Sequence, residues 1–234
     1  MTEILVKSLW RYPVKSMQGE ECSSLTIEHR GIQGDRLFAI RNLQGKFGSG
    51  KNTRRFRHID GLLMFRAFYQ EDVPVIEFPN GNVVGGDEPH IHDELSQILN
   101  QTVTLAKENK ISHFDDSPIH LVSSAALQWL KTALPDSQIN LNRFRANLLL
   151  DVAGNTPVEH QWIGKQIQIG NQVRLKITKL AERCIMTSSR QLNLPEDPQI
   201  FDYIINESQM MFGVYAQVAN SGTVNIGERV NFID

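Results

Sequence analysis

In Ile167-Gln168-Ile169-Gly170-Asn171-Gln172-Val173-Arg174-Leu175, apolar and polar residues alternate on both sides of a glycine. Alternation with a period of two places the apolar side chains on one face, as in two strands joined by a tight turn. The same spacing recurs 57 residues later, at Val224, Ile226, Gly227, Val230 and Phe232. Two such hairpins predict a closed or nearly closed β-barrel.

The rest of the sequence predicts a mixed α/β protein that is rich in strands. Apolar runs bounded by turn residues predict strands over Ile4–Tyr12, Arg36–Ile40, Leu62–Tyr69, Val75–Phe78 and Phe144–Leu150. Helical spacing and capping residues predict helices over about Pro89–Asn100, Ser124–Leu134 and Pro198–Met210. A polar stretch near residue 110 then divides the chain into a smaller, β-barrel-like domain (1–112) and a β-barrel with flanking helices (113–234).

Composition excludes several classes of protein. The net charge of -2 gives no overall signal for nucleic acid or membrane binding, and the 41% apolar content fits a globular protein. We find no apolar run of transmembrane length and no signal peptide, so we expect a cytoplasmic protein. Two cysteines, Cys22 and Cys184, are too few for a disulfide framework or a four-cysteine iron–sulfur cluster.

Cys184 is the cysteine with a chemical signal. It directly follows Arg183 at the end of an alternating run, and a neighbouring cation favours the thiolate. A lone thiolate is a nucleophile or a ligand for a soft metal. The alternative, a small buried apolar residue, describes most isolated cysteines and fits Cys22 well.

The segment Gly45-Lys46-Phe47-Gly48-Ser49-Gly50-Lys51-Asn52-Thr53 nearly matches a phosphate-binding loop. Asn52 stands where the magnesium-binding hydroxyl belongs, and the basic residues that follow do not form an apolar-faced helix. Nucleotide binding is therefore disfavoured. Two alternatives remain: a solvated connection between strands, or a basic flap beside an anion site, formed by Lys46, Lys51, Arg54, Arg55 and Arg57.

Other segments carry groups that suit an anion. Lys15-Ser16 follows a strand stopped by proline, Arg36 precedes another strand, and Ser123-Ser124 begins a helix. In the predicted strand Phe144–Leu150, extended backward, the side chains of Arg143, Arg145 and Asn147 share one face. Each segment alone is also explained by surface charge, helix capping or ion pairs, and His120 by an ordinary core histidine.

Taken together and in order, five motifs resemble the MOSC superfamily. They are Tyr12-Pro13-Val14-Lys15-Ser16, Gly34-Asp35-Arg36, Pro118 to Ala125, Arg143 to Asn147, and Arg183-Cys184-Ile185-Met186-Thr187. Phe212-Gly213-Val214-Tyr215 resembles a closing segment of the family. The resemblance covers almost the whole chain and implies a MOSC β-barrel preceded by a MOSC N-terminal β-barrel domain. It is nearest to the branch that reduces amidoximes and N-hydroxylated purines.

This resemblance implies that the protein binds molybdenum cofactor (molybdopterin). Cys184 would be the thiolate on the metal and the catalytic residue. The residues implied to hold the cofactor are Lys15, Ser16, Arg36, Ser123, Ser124, Arg145, Asn147, Arg183 and Tyr215. The chain departs from the family's reductases after the cysteine, where Thr187-Ser188-Ser189-Arg190-Gln191 stands in place of Thr-Thr-Val-Asp-Pro.

The implied activity is an oxidoreductase that removes oxygen from N-hydroxylated or N-oxide compounds, a detoxification reaction. Some relatives carry a ferredoxin-like domain after the MOSC domain, and this sequence ends at Asp234 without one. We therefore expect electrons from a separate flavoprotein or ferredoxin-type partner. The alternative is a binding module, either a carrier of molybdenum cofactor or a sulfur carrier through a Cys184 persulfide.

Overall fold

The fold comes from a computed structural model that describes residues 3–233. Within them lie three α-helices, α1 (Ile91–Ile98), α2 (Ser124–Ala133) and α3 (Pro198–Ser208). The strands are β1 (Ile4–Arg11), β2 (Glu20–Cys22), β3 (Ser24–Glu28), β4 (Gly31–Ile32), β5 (Phe38–Asn42), β6 (Phe47–Ser49), β7 (Phe56–His58), β8 (Arg66–Gln70), β9 (Val73–Glu77), β10 (Val83–Gly85), β11 (Val103–Lys107), β12 (Ile119–Ser123), β13 (Leu148–Asp151), β14 (Gln166–Ile169), β15 (Val173–Glu182), β16 (Met211–Asn220), β17 (Gly222–Asn225) and β18 (Arg229–Ile233).

Seven strands close into a barrel in the order β13-β12-β16-β15-β14-β18-β1, and β1 returns to pair with β13. The β12–β13 pair is parallel and the other barrel pairs are antiparallel. Along β15, Val173, Leu175 and Ile177 are buried while the residues between them are not, so alternation directs one face into the core. The predicted β-rich mixed fold with a barrel is confirmed.

The two similar segments differ in their pairing. β14 and β15 form the predicted hairpin around Gly170, which has a φ of 58°. The second hairpin prediction is wrong, because β17 pairs with β3 whereas β18 pairs with β14 and β1. Alternation and a turn glycine identify strands but not their partners.

Two smaller sheets and α1 form a second layer with its own core. The order is β11-β5-β6-β7 in one sheet and β10-β9-β8 in the other. Helix α1 buries Ile91, Leu95 and the following Leu99 against this core, while Ile98 is 39% exposed at its edge. The predicted helix is thus confirmed. The predicted strand from Leu62 is wrong at its beginning, because Leu62–Met64 forms a 3-10 helix and the strand, β8, begins only at Arg66.

The sheets do not follow the predicted division after residue 112. β1 is a barrel strand, and β3 with β4 forms a third small sheet with β17 from the end of the chain. Two of the first four strands, β1 and β3, therefore pair with strands of the second half. One consequence is that Lys15 and Ser16, which follow β1, lie where the barrel meets the second layer.

The segment before β13 contradicts a prediction that concerns the candidate site. Leu141–Arg143 is a 3-10 helix, Arg145 has a φ of 54°, and the strand begins only at Leu148. Arg143, Arg145 and Asn147 therefore do not share a strand face. Helices α2 and α3 confirm the predicted ones, and Ser123 caps α2 by accepting a hydrogen bond from Ala126 N. No helix in residues 3–233 is long and apolar enough to cross a membrane.

Candidate functional site

A cavity of about 360 Å³ opens between the barrel and the second layer. Its walls come from the turn after β1, the turn before β5, the segment before β13 and the end of β15. Eight of the ten predicted site residues line it: Lys15, Ser16, Arg36, Arg145, Asn147, Arg183, Cys184 and Tyr215.

Three of these residues have an uncommon backbone conformation. Ser16, Arg36 and Arg145 have φ values of 65°, 48° and 54°. Residues with side chains rarely adopt this left-handed region, and such strain concentrates at functional sites. The turns thereby direct three polar side chains from separate segments toward one space.

Asp35 fixes the relative position of these turns. Its Oδ1 accepts hydrogen bonds from Tyr12 N at 2.8 Å and from Asn147 Nδ2 at 3.2 Å, and its Oδ2 pairs with Arg36. Asn147 Oδ1 in turn accepts from His120 N at 3.2 Å. Asp35 was not predicted as a site residue, although its position in Gly34-Asp35-Arg36 was available as a signal. Asn147 thus supports the wall through both ends of its amide.

Lys15 is almost fully buried, at 2% exposure, and its Nζ lies 2.7 Å from Asp115 Oδ1. The ammonium also lies 4.6 Å from the centre of the Phe56 ring. Burial lowers the pKa of Lys15 to about 8, and Asp115 opposes that shift. At neutral pH this wall therefore holds a cation that loses its proton more readily than an exposed lysine.

Arg36 and Arg145 both pack on Tyr12, with guanidinium carbons 4.8 and 4.4 Å from the ring centre. Burial alone would lower the pKa of Arg36, but Asp35 reverses the direction and raises it. Burial together with Arg36 lowers the pKa of Arg145 to about 10. Asp35 pairs directly with Arg36 alone, so the Arg145 guanidinium lies beside a second cation without an ion pair of its own among residues 3–233.

Two buried guanidinium N–H groups in this cluster have no acceptor among residues 3–233: Arg145 Nη2 and Arg183 Nε. Another nitrogen of each guanidinium already donates a hydrogen bond within the protein: Arg145 Nη1 to Met17 O, and Arg183 Nη2 to Phe144 O at 2.7 Å. A buried donor without an acceptor costs roughly 1–3 kcal/mol. An anion in the cavity would supply the missing acceptors.

Cys184 lies at the end of β15, just before a 3-10 helix (Ile185–Thr187). Its carbonyl accepts from Thr187 N and from Thr187 Oγ1, both at 3.0 Å, and the free thiol is half-buried. Within residues 3–233 no group of three or more His, Cys, Asp or Glu side chains is arranged to hold a metal. A metal at Cys184 would thus need its other ligands from a cofactor.

His120 and Tyr215 form the wall on the barrel side. The pKa of His120 lies well below its usual value, because of burial and then the Arg183 charge, so the ring is neutral. Its Nε2 donates to Phe212 O at 3.3 Å, and its ring lies 5.3 Å from that of Tyr215. A Cβ on Gly213 would approach His120 Nε2 to 2.5 Å, and the φ there is 79°, so this position requires glycine. The sequence alone favours an ordinary core histidine at this position, whereas the structure places His120 on the cavity wall.

Ser123 and Ser124, which the resemblance implies as cofactor-binding residues, do not line this cavity. Ser123 Oγ donates to buried Glu159 at 2.5 Å, and Ser124 Oγ accepts from Val152 N at 2.9 Å. Both hydroxyls are thereby used in capping α2 and tying it to β13. The cavity residues that were not predicted are Ser49, Lys51, Asp115, Asp116, Ser117, His120, Arg143, Phe144, Glu182, Met186 and Met210.

The glycine-rich loop between β6 and β7 borders the cavity. No helix follows it, so the helix N-terminus that a nucleotide loop needs is missing from this segment. Instead Ser49 and Lys51 line the cavity, and a Cβ on Gly50 would lie 2.3 Å from Met186 Cγ. The glycine permits close contact with the residue two positions after Cys184, as the basic-flap interpretation requires.

A second cavity of about 460 Å³ lies on the other side of Met186. Ser49 and Met186 line both cavities. The further lining is largely apolar, with ionic groups at His58, Asp60, Arg190 and Glu196. An elongated molecule could therefore extend from Cys184 past Met186 into an apolar space.

One solved structure shares the overall fold, and two others give weaker partial matches. The YUAD protein from Bacillus subtilis aligns over 99% of this chain and 96% of its own, with a TM-score of 0.57 and 14% identity. YiiM from Geobacillus stearothermophilus matches 51% of this chain and 56% of its own, with a TM-score of 0.39 and 15% identity. YiiM from Escherichia coli matches 51% of this chain and 55% of its own, with a TM-score of 0.38 and 13% identity.

A search of curated proteins found no match. Two family profiles match the sequence: the MOSC N-terminal beta barrel domain over residues 3–135 and the MOSC domain over residues 90–231. Since the second match spans more than half of the chain, the protein belongs to the MOSC domain family.

Proposed function

We propose that this protein binds molybdenum cofactor in the Cys184 cavity and reduces N-hydroxylated or N-oxide compounds. The observation that carries the proposal is the pair of unsatisfied buried donors on Arg145 and Arg183 beside a free thiol. The phosphate of a pterin cofactor would accept hydrogen bonds from these donors. The metal held by the sulfur atoms of the pterin would take the thiol as a further ligand.

The residues fit the chemistry of such a group. Lys15, Arg36 and Arg145 provide the positive charge for its phosphate, and Ser16 adds a hydroxyl at the same wall. Cys184 supplies the protein's soft ligand. When bound, the cofactor supplies a redox-active metal and dithiolene sulfurs. The chain's part is to bind and orient it and to keep His120 and Tyr215 neutral beside it, since burial raises the pKa of Tyr215.

The overall reaction balances as R–NHOH + 2 e⁻ + 2 H⁺ → R–NH₂ + H₂O. The N–O bond breaks, the nitrogen is reduced, and its oxygen leaves as water. The electrons come from a separate flavoprotein or ferredoxin-type donor. The apolar second cavity favours a small organic substrate, because it offers the body of that molecule a place next to the reactive end.

The experiment is expression in a host that makes molybdenum cofactor, followed by assays with hydroxylaminopurine and benzamidoxime under an artificial electron donor. We expect turnover in the wild type, loss of it in Cys184→Ser, and its retention in Cys22→Ser, the matched control. Absence of turnover in cofactor-loaded protein with every donor tested would refute the reductase proposal.

A second candidate is a sulfur carrier, favoured by the half-exposed, unpaired thiol of Cys184. In that case a persulfide donor would transfer its outer sulfur to the thiolate, with its own thiolate as the leaving group. Cyanolysis of the purified wild type would then release sulfane sulfur without any reductase activity. Metal and pterin in the same sample, with no sulfane sulfur, would reject it.

A further inference from the structure

The basic flap (Lys46, Lys51, Arg54, Arg55 and Arg57) is a feature that the proposed function does not use. No aspartate or glutamate occurs between Asp35 and Asp60, although the chain as a whole has 26 acidic and 24 basic residues. Positive charge is therefore concentrated in one segment of a protein whose net charge is -2.

Most of the flap cations are exposed, and none forms an ion pair with a carboxylate of the described residues. Among residues 3–233, none of the five forms an ion pair, and all except the half-buried Lys46 are exposed. Lys46 Nζ donates to Thr53 O at 3.2 Å and Arg55 Nη2 to Ser112 O at 2.6 Å, which orients them without neutralising them. The positive potential of the flap is thus directed to solvent.

Hydrogen bonds hold the flap in one shape. Asn52 Oδ1 accepts from His58 N at 3.0 Å, and Thr53 Oγ1 accepts from Arg55 N and Phe56 N at 3.2 and 3.0 Å. Its ends are strands β6 and β7, which pair with each other. A preorganised charged surface loses little entropy when a partner binds.

The flap is continuous with the Cys184 cavity. Phe56 joins them, because Lys15 of the cavity and Arg55 of the flap lie 4.6 and 5.2 Å from the centre of its ring. Gly50 packs on Met186, and Lys51 lines the cavity. A macromolecule seated on the flap would lie at the entrance to the candidate redox centre.

We propose that the basic flap is the docking surface for an acidic electron-donor protein. The proposal rests on the reductase function and adds the place and charge of its partner. Per N-hydroxylated molecule, two one-electron donors are oxidised, and the two protons come from solvent. An acidic protein is favoured over nucleic acid because the flap borders the candidate redox cavity, which an electron donor must approach closely.

The test is calorimetric titration of the cofactor-loaded protein with an acidic flavodoxin-type protein and, separately, with an acidic ferredoxin-type protein. The variant is Arg54→Glu/Arg57→Glu, since neither side chain lines a cavity. Its matched control is Arg174→Glu/Lys176→Glu on exposed positions of β15. We expect the flap variant to bind at least one donor roughly tenfold more weakly at low salt, and the control within about twofold of wild type.

Turnover with reduced methyl viologen separates this proposal from the reductase proposal. Docking is supported if the flap variant keeps viologen-driven turnover and loses protein-driven turnover. It is overturned if neither donor binds wild type, or if flap and control variants bind equally, even when viologen-driven turnover is normal. Flap-dependent binding of a single-stranded oligonucleotide, without donor binding, would also overturn it in favour of a nucleic-acid surface.

Discussion

The cavity and the basic flap both contain lysine and arginine side chains, but these are mostly buried in the cavity and mostly exposed to solvent on the flap. In the cavity, Lys15 and Arg145 are withdrawn from water, and their pKa values fall to about 8 and 10. On the flap, Arg54 and Arg57 are exposed and surrounded by solvent. Desolvated charges bind a ligand of fixed geometry, with a large contribution from each residue, whereas exposed charges act together over a distance and weaken with salt. One cluster is therefore suited to a bound cofactor and the other to a transient partner.

The largest effect that tests this contrast is expected from Arg145→Ala. Removing a cavity guanidinium leaves the ligand's negative charge without its partner, and we expect affinity for the cofactor to fall by roughly 100-fold, or about 3 kcal/mol. Pterin content per chain after purification measures it. Arg145→Lys should not restore binding, because an ammonium lacks the planar pair of donors. Arg174→Ala is the exposed control, and an equal loss there would contradict the contrast.

Gly50→Ala tests the contact between the two regions. The added Cβ would overlap Met186 Cγ, so we expect unfolding free energy to fall by roughly 1–2 kcal/mol. Urea denaturation measures the change. When Gly50→Ala is made in a Met186→Ala background, the unfolding free energy should change little, because the side-chain atoms that the new Cβ would overlap are absent. Equal costs in the two backgrounds would show that the flap does not pack on Met186.

The titration of Lys15 predicts a pH dependence for anion binding. Its lowered pKa means that the ammonium charge is lost as pH rises through about 8, whereas an ordinary lysine keeps it to about 10.4. Binding of sulfate, which stays doubly charged over this range, to cofactor-free protein should therefore weaken several-fold between pH 7 and 9. Lys15→Arg should bind sulfate with little change over this range. An unchanged slope in that variant would assign the titration to another group.

Single substitutions on the flap should have the smallest effects. Arg54→Ala removes one exposed charge that pairs with no carboxylate among residues 3–233, so donor affinity should change by about twofold or less. Raising the salt concentration should reduce that difference further. Titration at low and high salt measures both. A large salt-independent loss would place Arg54 in a specific buried contact.

The barrel was predictable because its signal is local. Alternation in β15 and the turn glycine Gly170 indicate that one face of the strand is buried. This pattern can be recognised in the sequence even when the partner strand is unknown. The partners were not predictable: β17 and β18 flank a similar glycine yet join different sheets. A division after residue 112 likewise does not account for β1, which closes the barrel by pairing with β13. Pairing between strands more than 100 residues apart produces no local pattern in the sequence.

The site was predictable in its residue types but not in its geometry. The resemblance brought Lys15, Arg36 and Arg145 into one hypothesis, and the structure places them on one cavity. Strand periodicity failed for Arg145, because a left-handed residue interrupts the segment. The sequence does not separate two roles for Ser123 and Ser124, because helix capping and anion binding require the same hydroxyls. In the structure, Ser123 Oγ donates to Glu159 and Ser124 Oγ donates to Asp151 at the end of β13.

The most direct test of the central claim is molybdenum and pterin analysis of protein purified from a host that makes the cofactor. We expect close to one of each per chain in the wild type, strong depletion of both in Arg145→Ala, and loss of molybdenum coordination by sulfur from the protein in Cys184→Ser. Wild-type protein that carries neither molybdenum nor pterin, although the host loads other molybdenum enzymes, would contradict it.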